Sequence, residues 1–165
     1  SARFGVIKST YSSSVGKRVL PTEMEKKYAQ RIREDANEYG ATTGRPRDIH
    51  YLDLEMLKFF CKISEIEELV FTHMDIVYEE PIKVCIGYER DGKHLGYRPD
   101  QEYLYNLKAV YKEFKPWDSN SLKDVKSYNK LDKNLTTFIQ YISKQTNTQP
   151  VMLTYGPERN QTLIF

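Results

Sequence analysis

The chain has 165 residues, a length that suits one domain, 1–165, able to bury a core without disulfides or metal ions. Its 25 basic and 23 acidic residues nearly cancel, which excludes the strong positive field typical of proteins that bind nucleic acid or anionic membranes. No apolar stretch approaches the ~18 residues of a membrane-spanning helix, and no signal peptide opens the chain. We therefore predict a cytoplasmic protein.

The two cysteines and the first two residues bear on compartment and completeness. Cys61 and Cys85 lie inside apolar stretches without CxxC spacing, so we predict buried free thiols in a reducing compartment and no zinc site. The chain opens with Ser1-Ala2 and has no initiator methionine. We therefore expect it to be a piece of a longer protein.

The first half of the chain predicts one strand and two helices. An apolar run over 3–8 ends in a serine-rich stretch over 9–16, which is typical of a strand that opens into a loop. The capping-box pattern over 21–25 predicts the start of a helix, and Gly40 predicts its end. A second helix is predicted over 53–62, because its apolar residues recur at helical spacing.

The second half predicts mostly strands. The expected elements, in order, are strands over 69–72 and 82–88, a hairpin turn at Gly92, a short strand near Val110-Tyr111, a helix over 132–145 and a strand over 151–154. The first of these strands ends in His73-Met74-Asp75, a place where a parallel strand in an α/β sheet presents side chains to a ligand.

The segment Gly40–Arg47 concentrates groups that bind small anions. Arg45 and Arg47 can each grip a carboxylate or phosphate through two parallel N–H bonds. Thr42 and Thr43 add hydroxyl donors, and the glycines permit tight turns. The segment is equally compatible with a basic turn that only faces solvent, so the rest of the chain has to decide between the two interpretations.

Four segments together resemble the carboxy-terminal part of adenylosuccinate synthetases, in that family's order. They are Val15-Gly16 with 21–23, Gly40–Arg47 with 51–53, 72–75 with 82–85, and 155–159. The resemblance runs from about Gly5 to Ile164. It implies an α/β fold class: the carboxy-terminal portion of a large mixed, mainly parallel sheet flanked by helices.

The resemblance also implies an activity. The family transfers the γ-phosphoryl group of GTP to the 6-oxygen of IMP with Mg²⁺, after which the amino group of L-aspartate displaces that phosphate. Adenylosuccinate, GDP and phosphate result. The implied function is therefore a GTP-dependent carbon-nitrogen ligase of purine biosynthesis, and the family resemblance implies a homodimer for the full-length protein.

Matched residue by residue, the family motifs imply three groups of ligand-binding residues. They are Thr42, Thr43, Arg45 and Arg47 for aspartate; Val15, Gly16 and Arg45 for IMP; and His73, Asp75, Gly156 and Pro157 for GTP. Asp75 resembles the carboxylate that pairs with guanine N1–H and N2–H, two parallel donors that suit a bidentate acceptor. Simpler roles remain open: Val15 as a core residue, Asp75 as a cap or turn residue, and Gly156-Pro157 as an ordinary turn.

Several family features are absent or changed. The chain has no GxxxxGK[ST] or GxGxxG phosphate loop, and its three histidines have no metal-ligand or catalytic-triad spacing. The resemblance implies that the catalytic residues and the Mg²⁺ site lie in an amino-terminal part absent from this chain, so we expect this chain alone to be inactive. His73 stands where the family usually has lysine, and Asp48 could pair with Arg47 and weaken its grip on a ligand.

Three other functions compete with this interpretation. The departures from the family pattern, such as His73 in place of lysine, leave open a phage-type 2-aminoadenylosuccinate synthetase. Such an enzyme uses a guanine nucleotide as acceptor and an adenine nucleotide as phosphoryl donor. A non-catalytic nucleotide-binding module would keep the ligand loops and lose the chemistry. An RNA-binding domain could draw on the 13 tyrosines, but the balanced charge and the lack of an RNP motif disfavour it.

Overall fold

The computed structural model describes residues 2–16, 18–78 and 81–165. Its elements in chain order are β1 (Phe4–Lys8), β2 (Tyr11–Ser14), α1 (Lys26–Asp35), β3 (Asp48–Asp53), α2 (Leu54–Ile63), β4 (Glu68–Thr72), β5 (Ile82–Arg90), β6 (Lys93–Leu95), α3 (Gln101–Leu104), β7 (Lys108–Phe114), α4 (Lys133–Thr146), β8 (Gln149–Thr154) and β9 (Thr162–Ile164). Two 3₁₀ turns, Ser119–Asp124 and Tyr128–Lys130, lie between β7 and α4.

One sheet has the strand order β1-β4-β8-β9. β1, β4 and β8 run parallel, and β9 returns antiparallel to β8. The carboxyl ends of the three parallel strands therefore meet at one edge of this sheet, which is where α/β proteins bind ligands.

The second sheet has the order β2-β3-β5-β6, with β7 also paired to β5. β3 and β5 are parallel, while the other pairs are antiparallel. The described residues thus form two mixed sheets flanked by helices, which confirms the α/β fold class. Only the first of the two sheets is mainly parallel. The β5–β6 hairpin turns at Asp91-Gly92, where both residues have positive φ, as a two-residue hairpin turn requires.

Helix α4 supplies much of the core. Its predicted apolar stripe is fully buried and consists of Leu135, Phe138, Ile139 and Ile142. The helix contacts α2 and β8. Phe138 packs edge-on against Phe114, with ring centroids 5.4 Å apart, and lies 5.3 Å from the ring centroid of Trp117. Aromatic pairs at these separations add to the stabilisation that comes from burying the rings.

Helix α1 is shorter than the sequence predicted, and both predicted ends are wrong. It begins at Lys26, because the preceding segment pairs with β3: Met24 N–H donates to the Ile49 carbonyl at 3.3 Å, and Thr22 accepts from Tyr51 N–H at 2.9 Å. The Thr22 side chain makes no capping bond, because its buried hydroxyl has no hydrogen-bond partner in the part of the chain that the structure describes.

The end of α1 also differs from the sequence prediction. The helix stops at Asp35, and Asn37, not Gly40, takes the left-handed conformation that follows it, with φ 50°.

Strands β2 and β3 were not predicted from the sequence. β2 is rich in serine, and β3 is buried over five of its six residues, so neither shows the alternation of a half-buried strand.

Other expectations are confirmed. Cys61 and Cys85 are buried free thiols. The helix predicted over 53–62 is α2, whose first turn is capped by the Asp53 carboxylate, which accepts a hydrogen bond from Met56 N–H at 3.0 Å. Among the helices that the structure describes, none is long and apolar enough to cross a membrane.

The position of Phe138 generates a test of the core. Phe138→Ala should lower the free energy of unfolding by about 3–5 kcal/mol, because it leaves a cavity between Phe114 and Trp117. Urea denaturation of the chain would measure the loss. The control Gln140→Ala, at an exposed position of α4, should change the free energy of unfolding by no more than about 0.5 kcal/mol relative to the unmodified chain. A loss below about 1 kcal/mol for Phe138→Ala would contradict this packing.

Candidate functional site

A cavity of about 460 Å³ lies at the carboxyl ends of β4 and β8. Its lining comes from three places: the turn after β4, the loop after β8, and the end of α1. The lining residues are Asp35, Ala36, Asn37, His73, Asp75, Ile76, Thr154, Gly156 and Pro157. The structure thus brings all four predicted GTP-binding residues, His73, Asp75, Gly156 and Pro157, to one cavity.

Asp75 has a side chain that its own fold leaves unsatisfied. The residue is half-buried, and its Oδ1 atom is buried without a hydrogen-bond partner among the described residues. A buried carboxylate oxygen without a partner costs free energy, because it has lost water and gained nothing in return. Because Asp75 lines the cavity, its carboxylate is positioned beside a ligand that would bring N–H donors there. Asp75 therefore has a feature that a simple turn residue does not need.

The backbone of the turn after β4 is held firmly. His73 has φ 57°, a left-handed conformation that is uncommon outside glycine. Its carbonyl accepts hydrogen bonds from Ser9 Oγ and from Ile76 N–H, both at 3.0 Å. Met74 N–H donates to the Thr154 carbonyl at 3.0 Å, and the Met74 carbonyl accepts from Trp117 Nε1 at 2.8 Å. These bonds fix the direction in which Asp75 leaves the backbone.

The imidazole of His73 stands beside this turn. It meets Tyr11 edge-on, with ring centroids 5.9 Å apart. Burial and the positive charge of Lys8 lower the pKa of His73, against the opposing effect of Asp75 and Glu38. The lowered pKa favours a neutral imidazole at neutral pH, so His73 offers this cavity a flat ring without a positive charge.

The loop after β8 is closed by a side chain. Gln161 Oε1 accepts a hydrogen bond from Glu158 N–H at 2.9 Å, and the Gln161 carbonyl accepts one from Tyr155 N–H at 3.0 Å. A Cβ atom on Gly156 would lie 2.2 Å from Gln161 Oε1. A larger residue at position 156 would therefore push aside the Gln161 amide, which holds this loop through its bond to Glu158 N–H.

The arginine loop, residues 40–47, closes on itself at its base. Gly40 N–H donates to the Arg45 carbonyl at 2.9 Å, and Gly44 N–H donates to the Gly40 carbonyl at 2.8 Å. Tyr39 and Pro46 form an antiparallel bridge beside them. Thr42, Thr43 and Arg45 are exposed at the tip, so these three predicted aspartate-binding residues are accessible to a ligand.

The two arginines of the loop differ. Arg45 is exposed and has no ion pair with any described residue. Arg47 is half-buried, and its Nη1 atom lies 2.8 Å from Glu38 Oε2. Its Nε atom is buried and has no hydrogen-bond partner among the described residues. The sequence suggested that Arg47 could pair with Asp48. The structure pairs Arg47 with Glu38 instead.

Glu38 is 2% exposed and is the hub of a charged cluster. Its Oε1 atom accepts hydrogen bonds from Lys8 Nζ and, at 2.7 Å, from the Tyr11 hydroxyl. Burial alone would raise the pKa of Glu38, but the bonds from Lys8, Tyr11 and Arg47 outweigh it and lower the pKa to about 2. Glu38 is therefore a carboxylate at neutral pH.

Val15 and Gly16 follow β2 at the surface. Val15 is 73% exposed, so its interpretation as a core residue is wrong. Gly16 is exposed and has φ 87°, a backbone that favours glycine. The serines before them line a separate cavity of about 470 Å³ together with Arg18 and Tyr97.

The sequence missed several residues of the site. Glu38, Lys8 and Ser9 carry no local pattern that marks them, and only the tertiary structure brings them to the turn after β4 and to the arginine loop. The end of α1 was also missed, because the sequence placed it at Gly40. Within 2–16, 18–78 and 81–165, no group of three or more His, Cys, Asp or Glu side chains could hold a metal ion.

The chain is similar to known proteins along nearly all of its length. The sequence profile of the adenylosuccinate synthetase family matches residues 1–163. The adenylosuccinate synthetase of Clostridium novyi is 39% identical over 160 residues, which are 96% of this chain and 37% of that protein. The Malacoplasma penetrans adenylosuccinate synthetase is 39% identical over 163 residues, 97% of this chain and 38% of that protein.

A solved structure agrees. The fully ligated adenylosuccinate synthetase of Plasmodium falciparum superposes with a TM-score of 0.90 at 29% identity, over 98% of this chain and 39% of that one. The chain thus spans less than two-fifths of the length of these relatives. The family match, the sequence identity and the shared fold together show that this chain belongs to the adenylosuccinate synthetase family.

Proposed function

We propose that this chain is the carboxy-terminal part of an adenylosuccinate synthetase and carries a site for the guanine base of GTP, a site for L-aspartate and some of the residues that contact IMP. The longer protein to which we assign it is called the parent protein below. The parent protein joins IMP and aspartate at the expense of GTP, giving adenylosuccinate, GDP and phosphate. It acts in the cytoplasm as a homodimer.

The observation that carries this proposal is that Asp75 lines the cavity at the ends of β4 and β8, while its Oδ1 atom has no hydrogen-bond partner among the described residues. Guanine presents N1–H and N2–H as two parallel donors, whereas adenine presents an acceptor at N1, which a carboxylate repels. Asp75 therefore favours guanine. His73 and Pro157 supply the flat and apolar surfaces that a base requires.

The arginine loop suits the second substrate. L-aspartate brings two carboxylates, together with an amine that has to be unprotonated in order to attack. Arg45 and Arg47 hold carboxylates through forked N–H bonds and accept no proton, so they bind the acid groups without competing for the amine. Thr42 and Thr43 donate hydroxyl bonds beside them. Arg45, Val15 and Gly16 contact IMP.

The remaining chemistry belongs to the amino-terminal part of the parent protein. That part binds the phosphates of GTP, carries the acid–base residues, and holds Mg²⁺. Among the described residues of this chain, no group of three or more His, Cys, Asp or Glu side chains could hold a metal ion. Mg²⁺ supplies charge neutralisation during phosphoryl transfer. This chain alone is therefore inactive, and it contributes half of a composite site.

The cavity at Asp75 generates a test of base selectivity. Asp75→Asn in the parent protein should weaken GDP binding about 10- to 100-fold, because one charged acceptor is lost and an amide N–H₂ then faces the donors of guanine. Binding of ADP should change much less. Calorimetric titration with each nucleotide would measure both effects.

The matched control is Asp91→Asn, which removes the same charge from the exposed β5–β6 turn and should leave both affinities unchanged. Equal losses for GDP and ADP in Asp75→Asn would contradict the base-reading role. Tighter binding of ADP than of GDP by the unmodified parent protein would instead favour the phage-type activity with an adenine nucleotide as donor.

The arginine loop generates a second test. Arg45→Ala and Arg47→Ala should each raise the KM for aspartate about tenfold or more in the parent protein, because each removes a charged hydrogen-bond partner of a carboxylate. Arg45→Ala should leave thermal stability unchanged, since Arg45 is exposed and makes no ion pair with a described residue. Steady-state kinetics at saturating GTP and IMP would measure the KM.

Arg98→Ala removes an exposed arginine from a different loop and serves as the control. An aspartate KM that is unchanged in both loop variants would show that the loop does not bind aspartate. A non-catalytic nucleotide-binding module would be the better description if the parent protein bound GDP but gave no turnover with GTP, IMP and aspartate.

A further inference from the structure

One continuous segment, residues 35–47, connects the two ligand sites. Its first residues, Asp35, Ala36 and Asn37, line the cavity that contains Asp75. Its last residues form the arginine loop. Glu38 lies between these two parts, where its main chain is held on both sides: Glu38 N–H donates to the Arg33 carbonyl at 2.9 Å, and its carbonyl accepts from Arg47 N–H at 3.0 Å.

The side chain of Glu38 holds Arg47 from inside the protein. Lys8 at the end of β1 and Tyr11 at the start of β2 bind one carboxylate oxygen, and Arg47 binds the other through Nη1. Both β1 and β2 are sheet strands, so two of the three partners of Glu38 are fixed by the fold. Arg47 is consequently held at one end of its guanidinium, while its side chain is still 33% exposed.

The bond between Glu38 and Arg47 reduces the conformational entropy that Arg47 would lose on binding a carboxylate. A free arginine side chain has to give up rotamer freedom when it binds a carboxylate, which weakens the net affinity. Glu38 has removed much of that freedom from Arg47 before any ligand arrives. Arg45 has no such anchor among the described residues, so the two arginines of the loop are ordered to different degrees.

We propose that Glu38 is a positioning residue, which orients the Arg47 guanidinium for a carboxylate of the substrate and fixes segment 35–47 against the base cavity. This inference rests on the proposed function, because it assigns Glu38 a role in the aspartate site. Glu38 acts through Arg47 and does not itself contact aspartate, since two carboxylates would repel each other.

A double-mutant cycle in the parent protein tests this role. Glu38→Gln keeps the shape of the side chain and removes its charge, and it should raise the KM for aspartate about tenfold with a smaller change in kcat. In an Arg47→Ala background, Glu38→Gln should raise that KM less than about twofold further, because a residue that acts through Arg47 has nothing left to position. Glu34→Gln, at an exposed position of α1, is the matched control and should change neither parameter.

The outcomes separate the two proposals. If Arg47→Ala leaves the aspartate KM unchanged, the proposed aspartate site is wrong, and the role of Glu38 in it is wrong too. If Arg47→Ala raises the KM but Glu38→Gln does not, only the positioning role is overturned. The same conclusion follows if Glu38→Gln raises the KM equally in both backgrounds, because a general loss of structure would then explain it.

A second variant keeps the inference testable if Glu38→Gln does not fold. Tyr11→Phe removes one hydrogen bond to Glu38 and keeps the buried ring. It should raise the aspartate KM about two- to tenfold in the unmodified parent protein and have no further effect in the Arg47→Ala background. An unchanged KM in the folded Tyr11→Phe variant would overturn the positioning role.

Discussion

The parallel pairing of β1, β4 and β8 is the constraint on which the candidate site depends. Because parallel strands all end at the same edge of a sheet, the residues that follow them must lie near one another, however far apart they are in the sequence. His73-Met74-Asp75 follows β4, and Gly156-Pro157 follows β8. Ser9, which follows β1, donates a hydrogen bond to the His73 carbonyl and so ties the third strand end to the same turn.

Buried polar groups then fix this edge in detail. Glu38 joins β1 and β2 to the arginine loop, and Trp117 holds the turn after β4 through its bond to the Met74 carbonyl. Each of these buried polar groups has its partner, whereas Asp75 Oδ1 does not. The contrast makes Asp75 a candidate for a hydrogen bond to a ligand. Arg47 Nε is also a buried atom of a charged group without a partner among the described residues, and it lies in the arginine loop. The unpaired hydroxyls of Thr22 and Tyr78 belong to neutral groups, which cost less free energy to leave unpaired.

The sequence predicted the elements that carry their own periodicity. Helices α2 and α4 and strands β4, β5 and β8 have apolar patterns that local rules recognise. It missed β2 and β3, because pairing between distant segments, and not local propensity, makes strands of Tyr11–Ser14 and Asp48–Asp53. It also misplaced both ends of α1, whose predicted first turn is extended against β3 instead.

The residues of the candidate site also fall into those that the sequence predicted and those that it missed. Motifs contiguous in sequence, the arginine loop and the two turns at the strand ends, were found because each resembles a family segment. Glu38 was missed, since a single glutamate carries no signal until the fold buries it between Lys8, Tyr11 and Arg47. The pairing of Arg47 with Glu38 rather than with its neighbour Asp48 likewise depends on tertiary contacts alone.

The most direct measurement of the central claim compares two nucleotides that differ at one group of the base. GDP and inosine diphosphate are identical except for the 2-amino group, one of the two donors assigned to Asp75. The account predicts that the parent protein binds GDP about tenfold or more tightly than inosine diphosphate, and that Asp75→Asn abolishes the difference. Equal affinities for the two nucleotides, or a preference that survives in Asp75→Asn, would contradict it.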